Sequence, residues 1–325
     1  MKIIADKKIY KAEAFFSGLG DLELVDGREI NKALLKTADV LLVRTVTSIN
    51  KELLQGTSIK FVGSATAGFD HIDQNYLEQN DIQFVYAPGG NAGSVADYVM
   101  TVLGMLAEKN NKRVCDMSLG IVGVGNVGGK VFEEAKKLAI NVQLNDPLIK
   151  EADFIGVELD ALMDMDIISL HLPLTYSGKH KTHNLFDTKR IAKLKPGTIL
   201  INTARGDVVD EAAILTALTK KQLGSYVVDV WQNEPALNID LLEFATIGTP
   251  HIAGYSLMGK YNSTLMVYKG LCDFFGLEVK PIDRPKNRKV KAQDIKAYDS
   301  KLRRIKEQAL LKRANYFDSL RTIIG

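Results

Sequence analysis

Leu119-Gly120-Ile121-Val122-Gly123-Val124-Gly125-Asn126-Val127-Gly128 is the stretch on which the fold turns. An apolar run that reads as a strand leads into a GxGxxG turn, and an amphipathic pattern over Val127–Ala139 then reads as a helix. In that setting Gly123 permits the tight turn, Gly125 lets the backbone approach a pyrophosphate, and Gly128 lets helix and strand pack closely. The free N–H groups of the first helical turn, those of Asn126 and Val127 among them, and the positive end of the helix dipole favour phosphates. Asp146 lies 18 residues past Gly128, after the expected strand Val142–Leu144, where its carboxylate can accept hydrogen bonds from a ribose 2′-hydroxyl. The same charge repels a 2′-phosphate, so NAD is favoured over NADP. The bland alternative is a glycine turn beside an unrelated surface Asp, and it leaves the combined spacing unexplained.

Outward from this turn the chain alternates strand and helix. Downstream, Ile167–Leu170, Thr198–Asn202, Tyr226–Val230 and Thr246–Gly248 read as strands, so that the region predicts a doubly wound parallel sheet. Upstream, Lys2–Ala5, Val40–Val43, Ile59–Val62 and Ile82–Tyr86 predict a smaller parallel α/β unit. A long helix is expected after Pro88-Gly89-Gly90, with Val95, Tyr98, Val99, Val102, Leu103 and Leu106 on one face. Another is expected over Met258–Phe275.

The 325 residues are 46% hydrophobic and 25% charged, a composition that excludes collagen-like, low-complexity and disulfide-scaffold classes and allows two or three domains. The net charge of +3 hides an asymmetry: from Pro281 onward there are 7 Lys and 6 Arg against 4 Asp and 1 Glu, a net +8, while residues 1–280 carry −5. This tail is expected to form a short basic helical extension, its apolar stripe crossing a homodimer contact. It shows no nucleic-acid module, and no partner of that class is expected. No signal peptide or membrane span is visible, which points to a cytoplasmic protein. Cys115 and Cys272 have no CxxC partner, and no metal site is expected.

Three motifs at expected strand ends carry groups suited to oxidising an alcohol with NAD. Ile201-Asn-Thr-Ala-Arg205 offers a guanidinium that can fork onto a carboxylate. Asp229-Val-Trp-Gln-Asn-Glu234-Pro235 offers a carboxylate, and Pro250-His251-Ile-Ala-Gly254-Tyr255 offers an imidazole as proton acceptor, with Glu234 its candidate partner. Singly, each has a bland reading: a surface ion pair for Arg205, a structural histidine for His251, a simple turn for Glu234-Pro235. Their joint placement after a dinucleotide turn makes coincidence improbable. His171 in HLPLT is expected to line the cofactor crevice, and His71 to fix a loop.

The set GIVGVGNVG, HLPLT, INTARGDVVDE, DVWQNEP and PHIAG resembles the D-2-hydroxyacid dehydrogenase family over nearly all of residues 1–280. Within it VRTVT at Val43, SATAGFDHID at Ser64 and HIAGYSLMGK at His251 resemble the erythronate-4-phosphate dehydrogenase branch. The resemblance implies a Rossmann cofactor domain over 91–257 and a smaller, discontinuous flavodoxin-like substrate domain over 1–90 and 258–280, with 281–325 set apart. It implies Arg205, Glu234 and His251 as the catalytic trio, and Asp146, Thr175, Thr203, Ala204, Asp229 and Gly254 as cofactor contacts. Thr45, Thr66 and Tyr255 are implied substrate contacts, and Arg44 and Thr47 are further candidates for a phosphate. The implied reaction is oxidation of a phosphorylated 2-hydroxy acid, 4-phospho-D-erythronate, on the route to pyridoxal 5′-phosphate. Another enzyme of the family, such as one acting on 3-phosphoglycerate, is the alternative; a non-catalytic NAD-sensing or nucleic-acid-associated protein is the alternative of another class. Members of the branch usually carry a longer C-terminal dimerisation domain than the 45 residues that follow Lys280.

Overall fold

Runs such as Val-Leu-Leu-Val and Ile-Ile-Ser-Leu are buried at every position, which is what strands covered by helices on both faces require. The computed structural model describes residues 1–152, 154–308 and 312–321 and places these runs in two all-parallel sheets. The chain divides into two units, Met1–Asn91 with Ser256–Arg288, and Ala92–Tyr255 with Lys289–Gly325.

The first unit holds β1 (Lys2–Asp6), β2 (Asp21–Val25), β3 (Val40–Val43), β4 (Phe61–Ser64) and β5 (Gln83–Tyr86), in the order β2-β1-β3-β4-β5. This is the flavodoxin-like order. Strand β2 has no counterpart in the sequence reading, because Asp-Leu-Glu-Leu-Val is mostly exposed at the sheet edge and carries no buried run. Helix Leu257–Phe275 packs Val267, Tyr268 and Leu271 against Ile3, Leu42 and Phe61. The Ser256 hydroxyl caps this helix by accepting the Gly259 N–H at 2.9 Å.

The second unit holds β6 (Ser118–Val122), β7 (Asn141–Asn145), β8 (Ile167–Leu170), β9 (Ile199–Asn202), β10 (Ser225–Val228) and β11 (Ile247–Gly248), in the order β11-β10-β9-β8-β6-β7. The chain leaves β6 for β7 on one side and returns to β8 on the other, so the carboxyl ends of β6 and β8 flank a topological switch point, where such sheets bind ligands. Alternate residues feed two cores. Leu119, Ile121, Ile199 and Val227 meet helix Ala92–Lys109 on one face, while Ile168, Leu170, Leu200 and Val228 meet helix Glu211–Thr219 on the other.

The basic tail does not stand apart. Helix Ala292–Arg303 puts Ile295 and Tyr298 into one of these cores; Leu302, Ile305, Phe317 and Leu320 enter the other, so the tail wraps the edge at β11. The Asp299 carboxylate accepts the Gly248 N–H at 2.7 Å, a donor that an open edge strand would leave unpaired. Arg303 donates to the carbonyls of Leu242 and Ala245 at 2.7 and 2.8 Å, capping helix Ile239–Phe244. Of the apolar stripe expected at a homodimer contact, Leu302, Ile305 and Leu320 are therefore spent on the chain's own core, while Ala309 and Ile324 lie outside the described residues. Among the described residues no helix is long and apolar enough to cross a membrane.

Candidate active site

The glycine turn follows β6. Gly123 has φ +86°, and a Cβ there would sit 2.6 Å from the His171 carbonyl oxygen. A Cβ on Gly128 would lie 1.9 Å from the Gly123 carbonyl oxygen, so only glycine lets helix Asn126–Lys137 approach this closely. At Gly125, the residue before that helix, a Cβ would meet nothing within 4 Å, which leaves open space in front of the first helical N–H groups. Asp146 follows β7; its Oδ2 accepts the Val124 N–H at 2.9 Å and its Oδ1 the Leu148 N–H at 3.1 Å. The carboxylate is thus fixed beside the turn, and each oxygen retains a lone pair for a further donor. Helix N-terminus, open glycine and oriented carboxylate suit a dinucleotide: the first two would take the pyrophosphate and Asp146 the ribose.

His171, at the end of β8, contacts the Ser169 hydroxyl through Nε2 at 2.9 Å and the Thr203 hydroxyl through Nδ1 at 3.3 Å. Burial pushes its pKa down to about 3, so it stays neutral. Thr175 shares hydrogen bonds with Thr182 across the following loop, its N–H donating to the Thr182 hydroxyl at 2.8 Å.

The catalytic candidates come from the next three strand ends. After β9, the buried Asn202 side chain accepts the Ala204 N–H and donates to the Arg205 carbonyl, both at 3.0 Å, which fixes the turn carrying Thr203, Ala204 and Arg205. After β10, Glu234 Oε1 accepts the Trp231 N–H at 2.7 Å, and its Oε2 lies 2.8 Å from His251 Nδ1. Burial pushes the Glu234 carboxyl up. The adjoining His251, the Trp231 N–H and the Arg321 charge outweigh it and hold the group below the usual carboxylate value. After β11, His251 takes a left-handed backbone, φ 55°, unusual for a non-glycine residue, with its N–H donating to the Asp229 carbonyl at 2.7 Å.

Asp229, an expected cofactor contact, turns its carboxylate oxygens to the histidine loop, accepting from the Thr249 hydroxyl at 2.6 Å and the N–H groups of Ile252 and Ala253 at 2.8 and 2.9 Å. Burial raises its pKa. Thr249 in turn meets the Tyr98 hydroxyl at 2.8 Å, and its carbonyl accepts the Trp231 indole N–H at 2.9 Å. Sequence reading assigned no role to Thr249, which stands in the motif that carries His251, nor to Tyr98, which sits on the apolar face of a helix and reads as core. It also missed Arg321, whose guanidinium carbon lies 5.1 Å from the centre of the Tyr255 ring. Gly254 stands in the turn between His251 and Tyr255.

The remaining candidates belong to the first unit. Arg44 forms a 2.9 Å ion pair with Asp6, which is fully buried. Thr45 is exposed, whereas the Thr66 hydroxyl donates to the Gly68 carbonyl at 2.9 Å and meets Ser64 at 2.7 Å. Ser64 also contacts His71 Nε2 at 3.1 Å, and burial pushes the His71 pKa down to about 4. Thr47 is a correction: it is buried and its hydroxyl donates to the Gly27 carbonyl at 2.7 Å, so it is not presented to a phosphate. Among the described residues no cluster of His, Cys, Asp or Glu could hold a metal ion.

Residues 104–253 match the family model for the D-isomer specific 2-hydroxyacid dehydrogenase, NAD binding domain. The chain is 47% identical over 279 residues to an erythronate-4-phosphate dehydrogenase of Klebsiella pneumoniae, covering 85% of this chain and 74% of that one. The corresponding enzyme of Marinobacter nauticus is 43% identical over 285 residues, covering 86% of this chain and 74% of its own length. The chain belongs to the erythronate-4-phosphate dehydrogenase family. It is an NAD-dependent oxidoreductase of the CH–OH group. Among solved structures, a 3-phosphoglycerate dehydrogenase of Entamoeba histolytica with bound NAD+ superposes with a TM-score of 0.72 at 25% identity, covering 88% of this chain and 99% of that one.

Proposed function

We propose that this enzyme oxidises the 2-hydroxyl of 4-phospho-D-erythronate to the 2-oxo acid, (R)-3-hydroxy-2-oxo-4-phosphooxybutanoate, a step of pyridoxal 5′-phosphate synthesis. The observation that carries the reading is the 2.8 Å contact between His251 Nδ1 and Glu234 Oε2, made by residues that follow neighbouring strands of an NAD-binding sheet. With Nδ1 directed to a carboxylate, Nε2 is the nitrogen left to take the hydroxyl proton, and the carboxylate stabilises the imidazolium that forms. NAD, when bound, supplies the acceptor for the hydride that leaves C2. Arg205 holds the substrate carboxylate and places its charge next to the oxygen that becomes a carbonyl. Asp229, through the N–H groups of Ile252 and Ala253, keeps the histidine loop in its left-handed turn.

Gly123, Gly125, Asn126, Val127 and Gly128 cradle the pyrophosphate, Asp146 holds the ribose, and Thr175, Thr203, Ala204 and Gly254 line the remainder of the cofactor site. Thr45, Thr66 and Tyr255 contact the substrate, and Arg44 serves its phosphate, with part of its charge already answered by Asp6. The domain roles follow: the first unit is the substrate domain and the second the cofactor domain. The protein works in the cytoplasm as a homodimer whose interface does not use Leu302, Ile305 or Leu320 of the tail, since these are buried within the chain. A monomeric mass in solution would contradict the dimer. The reaction is tested by NADH formation from 4-phosphoerythronate in wild-type protein and in His251→Ala, which should be slower by a hundredfold or more, on the order of a lost general base.

A further inference from the structure

Glu211 has no part in the reaction described above, yet it is a buried carboxylate one strand connection away from it. It opens helix Glu211–Thr219, and only 4% of it is exposed. Its Oε1 accepts the Gln232 N–H at 2.8 Å. The neighbouring N–H, that of Trp231, is held by Glu234 at 2.7 Å, so two carboxylates grip consecutive peptide groups of one loop. The Gln232 side chain answers in the other direction, its Nε2 donating to the Val209 carbonyl at 3.1 Å. At the same junction Gly206, next to Arg205, lies so close that a Cβ would sit 2.2 Å from the Trp231 carbonyl carbon and 2.4 Å from the Gln232 nitrogen. The loop after β9 and the loop after β10 are thereby pressed together and cross-linked by two hydrogen bonds.

We propose that Glu211 is a positioning residue that locks the Glu234 loop to the Arg205 loop, so that the acid–base pair and the guanidinium keep a fixed separation. The group that acts is its oxygen as an acceptor for the Gln232 N–H, and its charge is dispensable. This rests on the reading of Arg205, Glu234 and His251 as the reacting set.

The test compares Glu211→Gln, Glu211→Asp and Glu211→Ala in the full chain. Gln keeps an oxygen at the same reach, whereas Asp keeps the charge and falls about 1.5 Å short, one C–C bond. Glu211→Gln is expected to retain kcat within about threefold, and Asp and Ala to lose tenfold or more. KM for NAD should stay within about twofold in all three, because the glycine turn and Asp146 lie beyond β9 and β8. A second readout needs no turnover. Trp231 is the chain's one tryptophan and is buried beside the gripped peptide, so its emission reports the loop directly. Asp and Ala should shift that emission to the red and raise its quenching by acrylamide, and Gln should superimpose on wild type. Loss of kcat in Gln equal to that in Asp, or unchanged emission in Asp and Ala, overturns the proposal. An unreactive wild type sinks the functional reading and leaves the fluorescence comparison to decide this one.

Discussion

Leu302 tests whether the basic tail is part of the cofactor unit. It is fully buried from a helix that lies past residue 288, in the core that also contains Leu241, Leu242, Trp231 and Val228. Leu302→Ala removes three carbons from a site whose walls belong to strands and helices that cannot follow the loss. Such truncations cost about 2–5 kcal/mol, the larger values where the cavity does not collapse. The second unit comprises about 200 residues, for which each kcal/mol moves Tm by about 2–4 °C. The expected fall is thus of the order of 4–20 °C, read from Trp231 fluorescence during heating. Lys306→Ala is the control: its 3.1 Å contact with Glu243 joins two side chains that are each more than half exposed, and its Tm should move by about 2 °C or less. A Leu302→Ala Tm equal to that of the control would show that the tail is an appendage and that the burial described here has no energetic weight.

Two further outcomes follow from individual carboxylates. Burial pushes the Glu211 carboxyl from 4.5 up to about 7, against the Gln232 N–H and with Asp207 and Glu234 adding to it. The folded protein therefore holds this proton longer than the unfolded chain, and stability contributed by the neutral group is lost as pH rises from about 4.5 through 7. Glu211→Gln removes that loss, so its Tm should gain on wild type between pH 5 and pH 8, by the equivalent of at most about 3 kcal/mol; a pH-independent gap would refute the assignment. Asp146→Asn retains an oxygen for the Val124 N–H but loses the charge offered to a ribose. KM for NAD should rise roughly tenfold to a hundredfold, with the preference for NAD over NADP narrowing, as steady-state kinetics with both nucleotides would show.

The sheets, the glycine turn and the three strand-end motifs were legible in sequence because each rests on local chemistry: period, β-branching, turn residues, and reactive side chains following apolar runs. Strand β2 was not, since Asp21–Val25 is a short edge segment with no buried residue, set apart only by its pairing with β1. The tail was misjudged for a related reason. Its helical stripe, with Leu302, Ile305 and Leu320 in it, was visible, but period alone cannot say whether a stripe faces a partner or the chain's own core. Within the site, Arg205, Glu234 and His251 announced themselves by type. The groups that hold them in place, Asn202, Thr249 and the Gln232 N–H, did not, because which hydrogen bonds a turn makes, within itself or to the loop of a neighbouring strand, leaves no trace in spacing. Thr47 shows the converse, a hydroxyl of the right type next to Arg44 that folding spends on the Gly27 carbonyl.

The most direct measurement is NADH formation by the purified protein with 4-phospho-D-erythronate, set beside unphosphorylated erythronate and 3-phosphoglycerate under the same conditions. The His251–Glu234 pair and Arg205 predict NAD-dependent turnover of 4-phosphoerythronate, with kcat/KM well above that of either comparison acid and abolished in His251→Ala. Preferential turnover of 3-phosphoglycerate, or undiminished activity in His251→Ala, would contradict it.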